Sequence, residues 1–89
     1  MKKSAILTIY GHVQGVGFRY FVKSKADLLG ITGFVKNKPN GIVYAEAEGE
    51  QEQLELFIAL CRQGPSHAWV ERVDLQYCPL QNFSGFVKL

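Results

Sequence analysis

Residues 31 to 48 read ITGFVKNKPNGIVYAEAE, two runs of strand-forming residues joined by Lys38, Pro39, Asn40 and Gly41. Pro39 presets the φ of a turn, while Asn40 and Gly41 tolerate the left-handed conformations of a tight reversal. The runs ITGFVKN and IVYAEAE are therefore expected to pair as a hairpin. In the second run Val43, Ala45 and Ala47 share one face, and Tyr44, Glu46 and Glu48 share the other. One face should be buried and the other wet.

On either side of the hairpin the period changes. Phe18, Val22, Ala26 and Leu29 recur every three or four positions, Phe21 widens the stripe and Gly30 stands where a cap belongs, which predicts a helix over 18–29. Leu54, Phe57, Ile58 and Cys61 fall at i, i+3, i+4 and i+7 before Gly64 and Pro65, which predicts a second helix over 51–63. SAILTIY, residues 4 to 10, puts Ala5, Leu7 and Ile9 on one side of a first strand. AWVERVDLQYC, residues 68 to 78, alternates as a fourth strand, and GFVKL at residues 85 to 89 adds a short fifth. Strand, helix, hairpin, helix and strand in that order make an α+β fold, a ferredoxin-like βαββαβ sandwich. It has an antiparallel sheet, two helices on one face and a short C-terminal fifth strand.

A chain of 89 residues is the size of one small domain, so a single domain over 1–89 is expected. Ten basic against eight acidic residues leave a formal charge of +2. That is too little to draw nucleic acid or an anionic membrane by charge alone, so any anion site must be local. The apolar stretch from Ala5 to Tyr10 is too short for a signal peptide, and nothing reaches the roughly 18 apolar residues of a membrane span. A cytoplasmic location is expected. Cys61 and Cys78 lack CxxC spacing and a histidine at metal-ligand spacing, so they read as two buried small hydrophobes, with a disulfide between them left open.

The stretch GHVQGVGFR, residues 11 to 19, puts three glycines and an arginine between the first strand and the first helix. Backbone N–H groups at a helix start have no intrahelical partner and lie at the positive end of the dipole, so they can cradle an anion. Glycine lets the main chain approach that anion, and Arg19 adds a planar fork of donors. The loop is not a Walker A sequence. Tyr20 stands where a dinucleotide fingerprint needs its last glycine. On residue types alone, a tight glycine turn with a solvated arginine remains the alternative.

GHVQGVGFR resembles the signature loop of the acylphosphatase family. GFVKN, residues 33 to 37, is similar to that family's second motif, with Phe34 where tryptophan is more common, and PNGIV fits its hairpin. The resemblance extends over essentially the whole chain. It implies hydrolysis of the carboxyl-phosphate bond of acyl phosphates without a metal or other cofactor. It also implies that Arg19 binds the phosphate and that the backbone of Gln14, Gly15, Val16, Gly17, Phe18 and Arg19 cradles it. Asn37 then positions the attacking water. Lys38 departs from the neutral residue often found after that asparagine.

The chemistry suits so few side chains. The carboxylate of a mixed anhydride leaves without a proton donor, and His12 and His67 form no recognisable acid/base pair with a nucleophile. Inorganic phosphate or sulfate is the expected site ligand, and nothing in the sequence obviously reads the acyl group. Nothing demands more than a monomer.

The remaining residues have ordinary readings. His12 is read as an exposed strand end, Gln14 as a loop brace and Lys36 as part of a solvated hairpin; Lys36 and Lys38 would also raise the local positive potential. Trp69, Tyr77, Phe34, Tyr20 and Phe21 are read as packing aromatics. Glu46, Glu48, Glu50, Glu52 and Glu55 should scatter over a wet surface. GVGFRYFV superficially resembles the RNP1 motif of RNA-binding RRM domains, but it opens a helix, and the third strand offers only Tyr44 among acidic neighbours. A noncatalytic anion-binding module of the same fold is the second rival.

Overall fold

The computed structural model describes residues 1–89 and builds outward from the predicted hairpin. Strands β2 (Thr32–Asn37) and β3 (Val43–Glu50) pair antiparallel, with Asn37 opposite Val43 and Thr32 opposite Glu48. On its other side β3 pairs antiparallel with β1 (Lys2–His12), with Ile9 opposite the same Val43. β1 and β2 therefore run parallel, one strand apart. Helix α1 (Phe18–Leu29) connects them, and α2 (Gln51–Gln63) carries the chain from β3 to β4 (Trp69–Cys78). β4 adds antiparallel to β1, while β5 (Phe86–Lys88) adds to the outer side of β2 in parallel. The sheet order β4-β1-β3-β2-β5 is the expected ferredoxin-like core extended by one parallel strand at its edge.

The core lies where the periodicities put it. Ala5, Leu7 and Ile9 of β1 and Val43, Ala45 and Ala47 of β3 are completely buried, as are Val22 and Ala26 of α1 and Phe57 and Cys61 of α2. Leu7 and Ile9 of the sheet and Phe57 of α2 are among the largest side chains in this core, and Ala5, Ala45, Ala47 and Ala26 are small ones packed among them. Fully burying a ring such as that of Phe57 contributes about 1.5–3 kcal/mol. Leu29, at the end of its stripe, is only partly buried. Gly30 caps α1 in the left-handed conformation, its N–H bonding back to the last turn.

β1 is longer than the predicted 4–10 at both ends. Lys2 and Lys3 pair with Glu50 and Gly49, and beyond a register shift at Tyr10/Gly11 the strand continues opposite Val70 and Trp69. Gly11 has φ 133, and a Cβ there would collide with the Trp69 carbonyl oxygen. The irregularity needs glycine and re-aims the chain into the loop that follows.

The outer face of the sheet corrects the reading of Glu48 as a wet carboxylate. β4 and β5 lie on opposite edges, so the connection 79–85 crosses that face and covers its far end. Glu48 is 1% exposed and accepts hydrogen bonds from the main-chain N–H groups of Gln81 at 2.6 Å and Asn82 at 3.0 Å. Asn82 holds the left-handed φ of 60 that presents its N–H, and asparagine tolerates that conformation well. Phe34 packs against Tyr44 and, edge-on, against Phe83 of the crossing segment.

Three aromatic expectations also change: Tyr20, Trp69 and Tyr77 are 73%, 71% and 50% exposed rather than packed. Trp69 and Tyr77 lie on an edge strand with a neighbour on one side only. The two cysteines are free, and geometry explains it. Cys61 lies in the helix-side core, whereas Cys78 sits opposite Ser4 on the outer face. No helix is long and apolar enough to cross a membrane.

Candidate active site

Past the bulge at Tyr10/Gly11, β1 ends at His12 and enters a loop that reaches α1 at Gly17. Gly15 has φ 74 and Gly17, the helix N-cap, φ 78. A Cβ at either would meet nothing within 4 Å, so the demand for glycine comes from backbone conformation and not from crowding. The loop is open on its outer side. No side chain caps α1, so the first N–H groups of the helix are free to bind an anion.

Because β1 and β2 run parallel, the loop after β1 and the end of β2 lie at the same end of the sheet. Ile9 and Asn37 flank Val43 from its two sides. A hollow of about 190 Å³ opens there, lined by Gly15, Gly17, Phe18, Arg19 and Asn37 together with Val13, Tyr20 and Lys88. The two motifs, 18 positions apart in sequence from Arg19 to Asn37, thus face one space.

Each residue singled out in the sequence has a definite place. Arg19 is half-buried and donates from Nη1 to the Leu89 main-chain oxygen at 2.5 Å. A guanidinium carries five donors, so this bond leaves most of the fork available. Asn37 is half-buried, and its side chain makes no hydrogen bond within the protein. Gln14 turns away from the hollow and donates from Nε2 to the carbonyls of Lys38 at 2.8 Å and Ile42 at 3.0 Å. It braces the loop against the hairpin turn, as read from the sequence. Val16 also lies outside the lining and packs against the core. His12 is exposed at the strand end.

The lysines beside Asn37 are used elsewhere. The Lys38 ammonium sits 4.2 Å from the centre of the Tyr44 ring, and that of Lys36 lies 5.7 Å from Tyr44 and 6.0 Å from Phe34. Both cover outer-face aromatics instead of lining the hollow, so Lys36 is less solvated than expected. Tyr44 donates to Glu46 at 2.7 Å, and burial together with that carboxylate pushes its phenol up to about 12.

Another hollow, of about 420 Å³, lies at the opposite end of β1 and β3, lined by Met1, Glu50, Gln51, Glu52, Gln53 and Glu55. Its carboxylates repel a phosphate, so size does not make it the anion site.

Three lining residues, Val13, Tyr20 and Lys88, were not among those read as the site, and Val13 lies directly before the cradle in the same loop. For Tyr20 a signal existed: two positions on from the buried Phe18 is about 200° around a helix, the solvent side. For Lys88 none did, since its place depends on β5 pairing with β2, Lys88 opposite Val35.

Comparison with known proteins adds independent findings. The Acylphosphatase family model matches residues 5–88. The chain is similar to an acylphosphatase of Archaeoglobus fulgidus, 45% identical over 82 residues that make up 90% of this chain and 92% of that one. Its structure is similar to that of an acylphosphatase from Bacillus subtilis, with a TM-score of 0.93 and 33% identity, over 100% of this chain and 99% of that one. It also resembles part of full-length HypF, with a TM-score of 0.93 and 30% identity, covering all of this chain and 12% of HypF.

Proposed function

The chain belongs to the acylphosphatase family and hydrolyses acyl phosphates; we propose that Arg19 and the loop amides from Gln14 to Arg19 hold the phosphate while Asn37 holds the attacking water. The observation that carries this reading is the single hollow into which Gly15, Gly17, Arg19 and Asn37 all open. An anion seated on the uncapped start of α1 meets N–H donors from below and the Arg19 fork from the side.

Phosphoryl transfer needs little covalent help from the protein. Catalysis rests on positioning and on stabilising charge spread over the equatorial phosphate oxygens. Water attacks phosphorus as the bond between phosphorus and the acyl oxygen breaks, and that electron pair leaves with the carboxylate. Asn37 is a neutral amide with no useful basicity, but its oxygen and NH2 can hold the water in line. The water's proton passes to a phosphate oxygen of the substrate. No step requires a metal, and inorganic phosphate, the product, is the expected competing ligand.

The same reading makes residues 1–89 a single domain acting as a monomer in the cytoplasm. Hydrolysis of benzoyl phosphate in excess chelator, beside Arg19→Ala and Asn37→Ala, tests the mechanism. Turnover that survives chelation and falls in both variants is expected. Turnover abolished by the chelator would overturn the metal-free assignment, and wild-type turnover in Asn37→Ala would overturn the role of that residue.

A further inference from the structure

The hollow at the phosphate loop does not end there. A second one, of about 330 Å³, is lined by Tyr20, Lys23, Ser24, Asp27 and Lys88, and Tyr20 and Lys88 line both. The two spaces adjoin at Tyr20 and Lys88, and the second forms a groove along the side of α1 that carries Tyr20, Lys23, Ser24 and Asp27. With the phosphate on the loop, the acyl part of a substrate must extend out of the smaller hollow, and this groove is the adjoining space. Tyr20, 73% exposed, offers its ring to the acyl carbons.

The groove's cations are not equivalent. Lys23 is engaged, 2.8 Å from Asp27 Oδ2 and donating to the Phe86 carbonyl at 3.1 Å. Lys88 takes part in no ion pair. Its backbone is fixed all the same: β5 pairs with β2, and the next residue's N–H donates to the Val35 carbonyl at 2.9 Å. An ammonium without an ion-pair partner is therefore carried from a fixed backbone position two residues along β2 from the level of Asn37.

We propose that this groove is the acyl subsite and that Lys88 reads a second anionic group on the acyl chain, so that acyl phosphates bearing a distal carboxylate are favoured over uncharged ones. The proposal rests on the phosphate lying on the Gln14 to Arg19 loop. An exposed ion pair changes an equilibrium by only a few fold and is screened by salt, so both the size and the salt dependence of the preference are set.

The test compares kcat/KM for 4-carboxybenzoyl phosphate and benzoyl phosphate, which differ only in the distal carboxylate. The carboxybenzoyl-to-benzoyl ratio should fall about threefold in Lys88→Gln and return in Lys88→Arg. In the wild type it should fall comparably on adding about 0.5 M KCl, whereas in Lys88→Gln it should not move. Equal losses on both substrates, or a wild-type ratio indifferent to salt, would overturn the subsite. If Arg19→Ala left both substrates untouched, the phosphate placement beneath the proposal would fall instead. A wild type that hydrolysed neither substrate would remove both.

Discussion

Arg19 and Glu48 each bind the main chain of the segment after β4, and they do so in opposite ways. Glu48 is 1% exposed, and both its oxygens accept N–H groups, from Gln81 and Asn82. Arg19 is half-buried and gives one donor to the Leu89 oxygen. A charge whose hydrogen-bonding capacity is absorbed by the fold serves stability, because removing it strands buried N–H groups. A charge with donors to spare, facing a hollow beside an uncapped helix start, is available to a ligand. Burial and residual capacity separate the two, not charge.

That contrast can be broken most forcefully at Arg19. Arg19→Ala should lower kcat/KM for benzoyl phosphate by on the order of a thousandfold while leaving the urea midpoint nearly unchanged. A large loss of stability instead would make Arg19 a structural residue like Glu48. Asn37→Ala should lower kcat by roughly 100- to 1000-fold with little change in inhibition by inorganic phosphate, since it removes an alignment and not the anion site. Weakened phosphate inhibition in step with kcat would refute that division of labour.

Glu48→Ala probes the other side. It should lower unfolding free energy by about 3 kcal/mol in urea titration, while protein that remains folded keeps kcat/KM within about twofold. Activity lost without stability would mean that the outer-face clamp governs the site. Gln14→Ala removes two hydrogen bonds from loop to hairpin turn and should cost about 1–2 kcal/mol of stability. It should also raise KM more than it lowers kcat. An unchanged KM would show that the loop holds its shape without the brace.

The smallest effect is at the cysteines. Burial pushes the Cys61 thiol from 9.0 up to about 12, so native protein should react with a thiol reagent at Cys78 alone and unfolded protein at both. As pH rises from about 9 toward 12, Cys61 ionises in the unfolded chain before the folded one, and its contribution to stability declines over that window. Two thiols reacting in native protein would contradict its burial.

Much of this was legible in the sequence because it is local. The turn residues from Lys38 to Gly41, the stripes beginning at Phe18 and Leu54, and the glycines before Arg19 each state their conformation within a few positions. From those elements the meeting of Arg19 and Asn37 follows by topology, since a split βαβ unit makes their two strands parallel. The strand ends were less legible: β1 runs past 4–10 because Gly49, Glu50, Trp69 and Val70 offer partners remote in sequence. Trp69 and Tyr77 read as packed because aromatic side chains favour sheets, yet an edge strand buries less than its composition suggests.

The sequence by itself determined the βαββαβ order, the helix-side core and the pair of motifs at the site, because each rests on chemistry expressed over one turn or one strand. Only the tertiary structure decided that Glu48 is buried, that Lys38 covers Tyr44 and that Tyr20 and Lys88 line one hollow with Arg19. The physical reason is one of path. Whether a polar residue is wet or enclosed depends on where the chain from β4 to β5 crosses the sheet and which strand β5 joins, and distant residues settle both.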